Sequence, residues 1–589
     1  MSNLKTRWTD NVNYDCPLSE YPRPQLVRND WQCLNGKFEF TITGMTDDIP
    51  QDFDGEIVVP FAPECYLSGI ERTIEPDDYL WYRKKFILDD CFEGKRCILH
   101  FEAVDWRCMV FFNGKPVGTH QGGYLPFSFD VTEYLNEGYN ELVVRVNDPT
   151  ETNWQDRGKQ VRKSVGFWYT ATSGIWQSVW LEPVNEKHIE NIRLTPDIDA
   201  SAIRIETELK YAENTQLRAI IKKDDSIVFA GTISPDETVK LKDIRLWSPE
   251  DPFLYDIVIA LCDENEKILD VVSSYFGMRK FSIGYDDKAI PRLYLNNKPY
   301  FQTGLLDQGY WPDGGMTPAC DEAMIFDIKE MKNLGFNMLR KHIKIEPRRW
   351  YYHCDKLGMI VWQDMVCGAK KIDMFFVGVL PNIFIRSIPD SHYKWFGVDN
   401  EECRREHEKA VFDTVDHLYN CTSIGCWVPF NESWGQFDAK RIGEAVKAYD
   451  PTRIVDHASG WHDQKGPELK SVHQYILPFI PPKGDGRPLV LSEFGGYSRI
   501  IENHVWNREK SFGYVMYKTK ETLTRAYKKL FEKQIIPNVK KGLSATVYTQ
   551  VSDVEFEVNG IYTYDRELLK IDADTIREIN YKLKTMPNN

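Results

Sequence analysis

The sequence lacks any run of about 18 apolar residues, so we expect no helix that crosses a membrane. Its first ten residues, MSNLKTRWTD, contain no apolar core and do not predict a secretory signal peptide. Positive charge is in deficit, because 73 Lys and Arg residues face 88 Asp and Glu residues, a formal net charge of −15. Nucleic acids and anionic membranes attract Lys and Arg. The sequence therefore predicts a cytoplasmic protein that binds neither of them.

Cysteine and histidine show no pattern typical of a metal site. The 13 cysteines are an odd number scattered over the chain, and Cys421 and Cys426 lie in an apolar run where buried, reduced thiols are usual. The spacing of His342, His353 and Asp355 fits no metal-ligand motif. We therefore expect a reducing compartment, no metal and no organic cofactor. A homo-oligomer is compatible with the sequence, which does not locate an exposed face.

The chain of 589 residues is too long for one hydrophobic core, and its patterning divides it into three segments. Residues 1–185 contain short strands separated by turn signals such as Asn113-Gly114, a pattern typical of a jelly-roll β-sandwich. Residues 186–283 contain roughly seven further strands, the number in an immunoglobulin-like sandwich.

From residue 284 to residue 589, eight apolar strands alternate with helical segments, which predicts a (β/α)₈ TIM barrel. Residues 366–400 interrupt this alternation, and we expect a long loop over the barrel mouth there.

Two of the predicted barrel strands end in a glutamate beside aromatic and small residues. Glu432 follows the strand in WVPFNESWGQ, and Glu493 follows the strand in LVLSEFGG. Polar residues at the carboxyl ends of barrel strands are candidates for catalysis. Glycoside hydrolysis needs two carboxyl groups, one that protonates the leaving oxygen and one that stays ionised near the anomeric carbon. A single glutamate of this kind is more simply a salt-bridged residue, but two on different strands favour catalysis.

The chain resembles glycoside hydrolase family 2, which includes β-galactosidases, β-glucuronidases and β-mannosidases. The resemblance rests on an ordered series of motifs along nearly the whole chain, among them VDWRCMVFFNGKPVGTHQGGYLPFSFDVTEYL, SGIWQSVWLEP, RLWSPEDPFLYD, GFNMLR, CDKLGMIVW, WVPFNESWG and LSEFGG.

The resemblance implies roles for five residues. It makes Glu432 the acid/base at the end of strand four and Glu493 the nucleophile at the end of strand seven. It also implies that Asn431 hydrogen-bonds the sugar 2-hydroxyl, that Tyr475 on strand six touches the nucleophile, and that Arg340 lies near the nucleophile.

Other candidates for the substrate site are less clearly marked by the sequence. The family often continues after that arginine with a Ser-His-Tyr-Pro-like run, whereas this chain has KHIKIEP, which leaves the role of His342 open. Asp307 follows the first strand and either binds a sugar hydroxyl or caps a loop. Trp434 is a candidate for stacking on a sugar ring.

The leading hypothesis is a retaining exo-β-glycosidase that removes a terminal non-reducing sugar. Family members specific for glucuronate carry an Asn-x-Lys motif after strand eight, whereas Asn559 here is followed by Gly560 and Ile561. Burying a uronate carboxylate without a cation is costly, so a neutral sugar is favoured, with β-galactose first. The alternatives are a β-hexuronidase, a non-catalytic carbohydrate-binding protein on the same scaffold, and a metal-dependent hydrolase, for which no ligand cluster is visible.

Overall fold

The computed structural model describes residues 4–370, 373, 375–379, 387–475 and 477–586. None of the helices in these ranges combines the length and the apolar character that a membrane crossing needs. The predicted loop 366–400 lies partly outside the described residues. Its described part includes one turn of π-helix at Phe375–Val379.

The first segment folds as a β-sandwich. Its larger sheet contains, in spatial order, Gly55–Val59, Gly36–Gly44, Asp78–Ile87, Tyr139–Asn147, Arg107–Phe112 and Lys115–Gln121. Its smaller sheet contains Gln32–Cys33, Val179–Val184, Arg96–Phe101 and Phe127–Asp130. The hairpin predicted at Asn113-Gly114 is present, and both residues take positive φ angles of 50° and 74°. A tight two-residue hairpin requires such angles, which Asn and Gly tolerate best.

The second segment is also a β-sandwich, with seven strands in the described chain. One sheet contains His188–Asp197, Ala202–Lys210 and Asp236–Lys240, and the other contains Ser226–Ile233, Thr215–Lys223, Tyr255–Asp263 and Ile268–Phe276. Alternating apolar residues of the strand Tyr255–Asp263 are buried between the sheets, as a period of two requires. The number of strands confirms the predicted immunoglobulin-like sandwich. The boundaries at 185 and 283 stay predictions.

The third segment contains an eight-stranded parallel sheet, which confirms the predicted TIM barrel. Its strands in chain order are β1 (Gln302–Asp307), β2 (Met338–Lys341), β3 (Ile360–Asp364), β4 (Ile424–Val428), β5 (Ile454–Val455), β6 (Lys470–Gln474), β7 (Leu489–Gly495) and β8 (Leu543–Thr549). Their spatial order is β5-β4-β3-β2-β1-β8-β7-β6.

The helices described around these strands are α1 (Asp321–Asn333), α2 (Arg348–Leu357), α3 (Glu401–Leu418), α4 (Ala439–Tyr449), α5 (Lys520–Leu530), α6 (Ile536–Val539) and α7 (Ala573–Thr585). The chain leaves α1 at Gly335, whose φ of 87° is costly for other residues, so the predicted helix end is confirmed. Asn400 caps the start of α3, because its side-chain oxygen accepts hydrogen bonds from the backbone N–H groups of Glu402 and Cys403 in the first turn of the helix.

The first sandwich is joined firmly to the barrel mouth. Gly158 donates its backbone N–H to the Cys367 carbonyl at 3.0 Å, and the Thr170 N–H donates to the Glu555 carboxylate at 2.8 Å. Gly158 has a φ of 61°, and a Cβ there would lie 2.8 Å from the Ile343 carbonyl oxygen, so a side chain would not fit. The segment between Gly158 and Thr170 is therefore held beside the carboxyl ends of the barrel strands.

Candidate active site

Glu432 lies just beyond β4, where the chain turns sharply. Its N–H donates to the Ser459 carbonyl at 2.9 Å, and Asn431 pairs with Ser459 in an isolated bridge. Glu432 and Ser433 have φ angles of 35° and 67°, a region that non-glycine residues adopt at a cost on the order of 1 kcal/mol each. The surrounding contacts hold this strained turn, and strain of this kind is concentrated at functional sites.

Glu493 lies within the last residues of β7, beside β6. The pairing of these strands shifts by one residue, so that Leu491 faces Val472 and Glu493 faces His473. Such an irregularity redirects a side chain at the rim of a barrel. Both carboxylate oxygens of Glu493 accept hydrogen bonds, one from Arg340 Nη1 at 3.1 Å and the other from the Tyr475 hydroxyl.

The two glutamates come together at the barrel mouth. One carboxylate oxygen of each lies within 4.8 Å of the other, in a group that also includes a ring nitrogen of His473. His473 Nδ1 lies 2.7 Å from Glu432 Oε1 and 3.5 Å from Glu493 Oε2. Sequence reasoning missed His473. A signal for it existed, because residues two apart on a strand share a face and Tyr475 was already a candidate.

Arg340 organises the floor of the site. It is fully buried, and it forms a bidentate pair with Asp364 at 2.9 and 3.0 Å. It also donates to Glu493 and, through Nη2, to Asn431 Oδ1 at 2.7 Å. Because the Asn431 oxygen is occupied by Arg340, its amide nitrogen is the group that could donate to a substrate hydroxyl. Arg340 therefore places the proposed nucleophile and Asn431 on a common support.

The surroundings of the two carboxyl groups differ. Burial raises the pKa of Glu432 to about 7, and the positive charges of Lys159 and Arg340 limit that rise. Burial also raises the pKa of Glu493, but the positive charge of Arg340 opposes this rise. Arg340 and Tyr475 both donate to Glu493, and such donors stabilise its ionised form. Burial lowers the pKa of His473 to about 4, so this histidine is neutral near pH 7. Glu432 is thus suited to carry a proton near pH 7, whereas the donors Arg340 and Tyr475 favour the ionised form of Glu493.

Of the other candidate residues, His342 lies beside the two glutamates, whereas Asp307 lies outside the site. His342 Nδ1 lies 2.8 Å from Asp364 Oδ2 and 3.9 Å from Glu493 Oε1. The Asp307 carboxylate instead binds Lys341 Nζ at 2.8 Å and caps its own loop through the Gly309 N–H at 3.0 Å. Strand alternation explains this, because Leu306 belongs to the barrel interior and Asp307 faces the helix layer.

Trp434 lies near Glu432 but is 7% exposed. Its ring meets that of Trp168 edge to face at 5.0 Å, and the Arg157 guanidinium lies 5.1 Å from its centroid. Its face is therefore covered largely by protein, which limits it as a stacking platform for a sugar.

Lys159, from the first sandwich, is a second residue that sequence reasoning missed. Its charge lowers the pKa of Glu432, Glu493 and His473 alike. No sequence signal marks it, because an electrostatic effect between residues far apart in the chain leaves no local pattern.

The two candidate glutamates do not line the cavity beside the first sandwich. A cavity of about 480 Å³ lies between the first sandwich and α3, and its lining includes Trp106, Trp154 and His407. Neither Glu432 nor Glu493 is among the residues that line it. The candidate site is therefore defined by the chemistry of its side chains and not by cavity size.

Glu432, His473 and Glu493 together also satisfy the spacing of a metal site, with one ligand atom each within 4.8 Å. The buried Arg340 charge already pairs with Glu493 and would repel a divalent cation. We therefore expect EDTA to leave the hydrolysis rate of an aryl glycoside unchanged. A rate that falls after chelation, and that one specific divalent ion restores, would contradict this prediction.

Comparison with known proteins identifies each segment. The model "Glycosyl hydrolases family 2, sugar binding domain" matches residues 68–184, "Glycosyl hydrolases family 2" matches 187–279, and "Glycosyl hydrolases family 2, TIM barrel domain" matches 290–477.

Two bacterial β-galactosidases are similar in sequence. That of Thermoanaerobacter pseudethanolicus is 29% identical over 341 residues, covering 54% of this chain and 44% of that protein. That of Streptococcus thermophilus is 28% identical over 470 residues, covering 77% of this chain and 42% of that protein. The chain thus spans about two fifths of the length of these relatives.

A solved structure has the same fold. The Bifidobacterium dentium β-glucuronidase, complexed with coumarin-3-O-glucuronide, superposes with a TM-score of 0.75 at 19% identity, covering 95% of this chain and 98% of that one. At this identity the likeness concerns the fold alone.

Proposed function

The chain belongs to glycosyl hydrolase family 2, and from that premise we propose that it is a retaining exo-β-glycosidase that uses Glu493 as nucleophile and Glu432 as acid/base. One observation carries this proposal. The two carboxylates, at the ends of β4 and β7, have oxygens within 4.8 Å of each other. Retaining glycosidases keep their carboxyl groups about 5–5.5 Å apart, whereas inverting ones leave room for a water between them.

In the first step, a Glu493 oxygen attacks the anomeric carbon while Glu432 gives its proton to the glycosidic oxygen. The bond from the anomeric carbon to the leaving oxygen breaks, and an ester to Glu493 forms. Arg340 and Tyr475 hold the attacking carboxylate in position, and Asn431 is placed to bind the 2-hydroxyl.

In the second step, Glu432 is ionised and acts as a base. It takes a proton from a water molecule, whose oxygen attacks the anomeric carbon and displaces Glu493. His473 Nδ1, at 2.7 Å, orients the Glu432 carboxyl for both proton transfers. Two inversions at one carbon retain the β configuration.

For the sugar, we propose a neutral residue, with β-galactose first. The two relatives in sequence reported above are named β-galactosidases, whereas the solved structure with the same fold is a β-glucuronidase. Asn559 is already engaged by its neighbours, because one N–H of its amide donates to Glu557 at 2.8 Å and its oxygen accepts from Gln550 at 2.8 Å, and no lysine stands two positions after it. The Glu557 charge, which raises the pKa of Glu432, would repel a uronate carboxylate.

A β-hexuronide is the second candidate substrate, and Lys159 is the observation that favours it. This cation acts on both glutamates, and no ion pair within 4.0 Å involves it in the part of the chain that the structure describes. Its ammonium group could therefore pair with a substrate carboxylate. Glu557 in the same region opposes this, so we place the neutral sugar first.

A panel of p-nitrophenyl β-glycosides tests the proposed function. We expect kcat/KM to be highest for a neutral sugar, with galactose ahead of glucuronate and galacturonate, and proton NMR to show the β anomer released first. A higher kcat/KM for an aryl uronide than for every neutral glycoside would overturn the sugar assignment. Initial release of the α anomer would overturn retention. Binding of sugars without turnover of any glycoside would favour the non-catalytic alternative.

A further inference from the structure

A series of aromatic rings connects the two ends of the candidate active site. Neighbouring rings lie 4.1 to 6.1 Å apart, in the order Tyr475, Tyr514, Phe512, Phe167, Trp168 and Trp434. The series begins at the tyrosine that donates to Glu493 and ends two residues after Glu432. We call these six residues the aromatic arc.

Two members of the arc come from the first sandwich. Val165 and Trp168 exchange backbone hydrogen bonds at 3.0 and 3.1 Å, which closes a tight turn with Phe167 near its tip. Phe167 is 37% exposed and lies 6.1 Å from Phe512. Because Gly158 and Thr170 attach this segment to the barrel, the turn is held in place beside the mouth.

The opposite side of the arc comes from the barrel. Phe512 exchanges backbone hydrogen bonds with Phe556 and Val558, in the segment after β8. Tyr514 stacks on Tyr475 with ring centroids 4.1 Å apart and planes 8° apart. Phe512 and Tyr514 are half-buried residues.

The arc spans both glutamates on the open side of the site. It runs from the tyrosine that donates to Glu493 to the second residue after Glu432, and Phe167 at its middle is 37% exposed, whereas Arg340 on the floor is fully buried. A leaving group occupies the open side of such a site, because the terminal sugar fills the closed end. Rings with an exposed face bind flat, partly apolar partners by stacking. An aromatic aglycone and the C–H face of a second pyranose share this property.

We propose that Phe167, Phe512 and Tyr514 form the aglycone subsite, and that it selects substrates whose leaving group carries a flat ring. This inference rests on the proposed function, since it names the leaving group of the same reaction. The subsite is shared between two domains, and the first sandwich supplies one of its walls.

The test compares two glycosides of one sugar whose leaving alcohols have similar acidity, the benzyl and the methyl β-glycoside. We expect the wild type to prefer the benzyl glycoside. Phe167→Ala and Phe512→Ala should lower kcat/KM for the benzyl glycoside roughly five- to tenfold and leave the methyl glycoside nearly unchanged. Tyr581→Ala is the matched control, since Tyr581 is an aromatic residue on α7 with 69% exposure.

A disaccharide with the same terminal sugar distinguishes the two kinds of leaving group, an aromatic aglycone and a second pyranose. A loss in the variants for the disaccharide as well as for the benzyl glycoside would indicate that a pyranose also stacks there. Equal losses for the benzyl and methyl glycosides, or no loss for either, would overturn the subsite and leave the proposed function standing. A wild type that hydrolyses no glycoside would overturn the proposed function itself.

A measurement on the wild type keeps the inference testable if a variant does not fold. The glycosyl-enzyme partitions between water and added alcohols, and acceptor alcohols use the aglycone subsite. We expect benzyl alcohol to trap the intermediate at lower concentration than methanol. Equal trapping by the two alcohols would contradict the proposal.

Discussion

Glu493→Gln is expected to lower kcat by roughly 10⁴-fold or more on every glycoside, because the amide cannot form the ester to the anomeric carbon. The shape of the side chain is kept: the amide oxygen can still accept from Arg340, and the amide nitrogen can donate to the Tyr475 hydroxyl oxygen. In the wild type, a 2-fluoro glycoside of the correct sugar should label Glu493, which peptide mass spectrometry would identify.

The matched control for this variant is Glu102→Gln. Both glutamate side chains are 4% exposed and both pair with an arginine, but Glu102 lies in the first sandwich and binds Arg348. If the loss of activity came only from a damaged fold, both variants would lose activity and melting temperature together. A label on Glu432, or on neither glutamate, would show that the roles are assigned wrongly.

Glu432→Ala is expected to slow substrates according to their leaving groups. A dinitrophenyl glycoside leaves without a proton and should react nearly as before in the first step, whereas an alkyl glycoside should lose roughly 10²- to 10⁴-fold in kcat/KM. Added azide should restore turnover of the activated substrate, because azide attacks without a general base. The product should be a β-glycosyl azide.

The pH profile gives a second readout for Glu432. Its carboxyl must be protonated to act as acid, and its pKa is raised to about 7, so kcat/KM of the wild type should fall as the pH rises through about 7. The Glu432→Ala variant should lose this limb of the profile. Equal losses for all leaving groups, no effect of azide and an unchanged pH limb would together rule out Glu432 as the acid/base.

The hydrophobic pattern of the sequence was sufficient to predict the three-part fold. Strand periodicity and turn chemistry, as at Asn113-Gly114, are local properties, and local properties determine which segments become strands or helices. The barrel topology then predicts where the ends of these strands lie, because all parallel strands of a barrel have their carboxyl ends at the same rim. Two glutamates at such ends, Glu432 and Glu493, were therefore predicted to lie together, and they do.

The alternation of side chains along a strand explains two features of the site that could have been predicted from the sequence: the inclusion of His473 and the exclusion of Asp307. His473 lies on β6, two residues before Tyr475, and contacts both glutamates. Asp307 follows an inward-facing residue and so points to the helix layer, where it pairs with Lys341. Both follow from the alternation of side chains on a strand once the inward residues are known.

The sequence by itself determined the architecture, the position of the two carboxyl groups and the class of chemistry they suit. The family resemblance assigned different roles to Glu432 and Glu493, and only the tertiary structure shows that these two residues of the same type have different partners. The tertiary structure also decided that Lys159 and Phe167 of the first sandwich lie beside the barrel mouth. Desolvation and contacts between distant segments are set by packing, and they leave no periodic pattern along the chain.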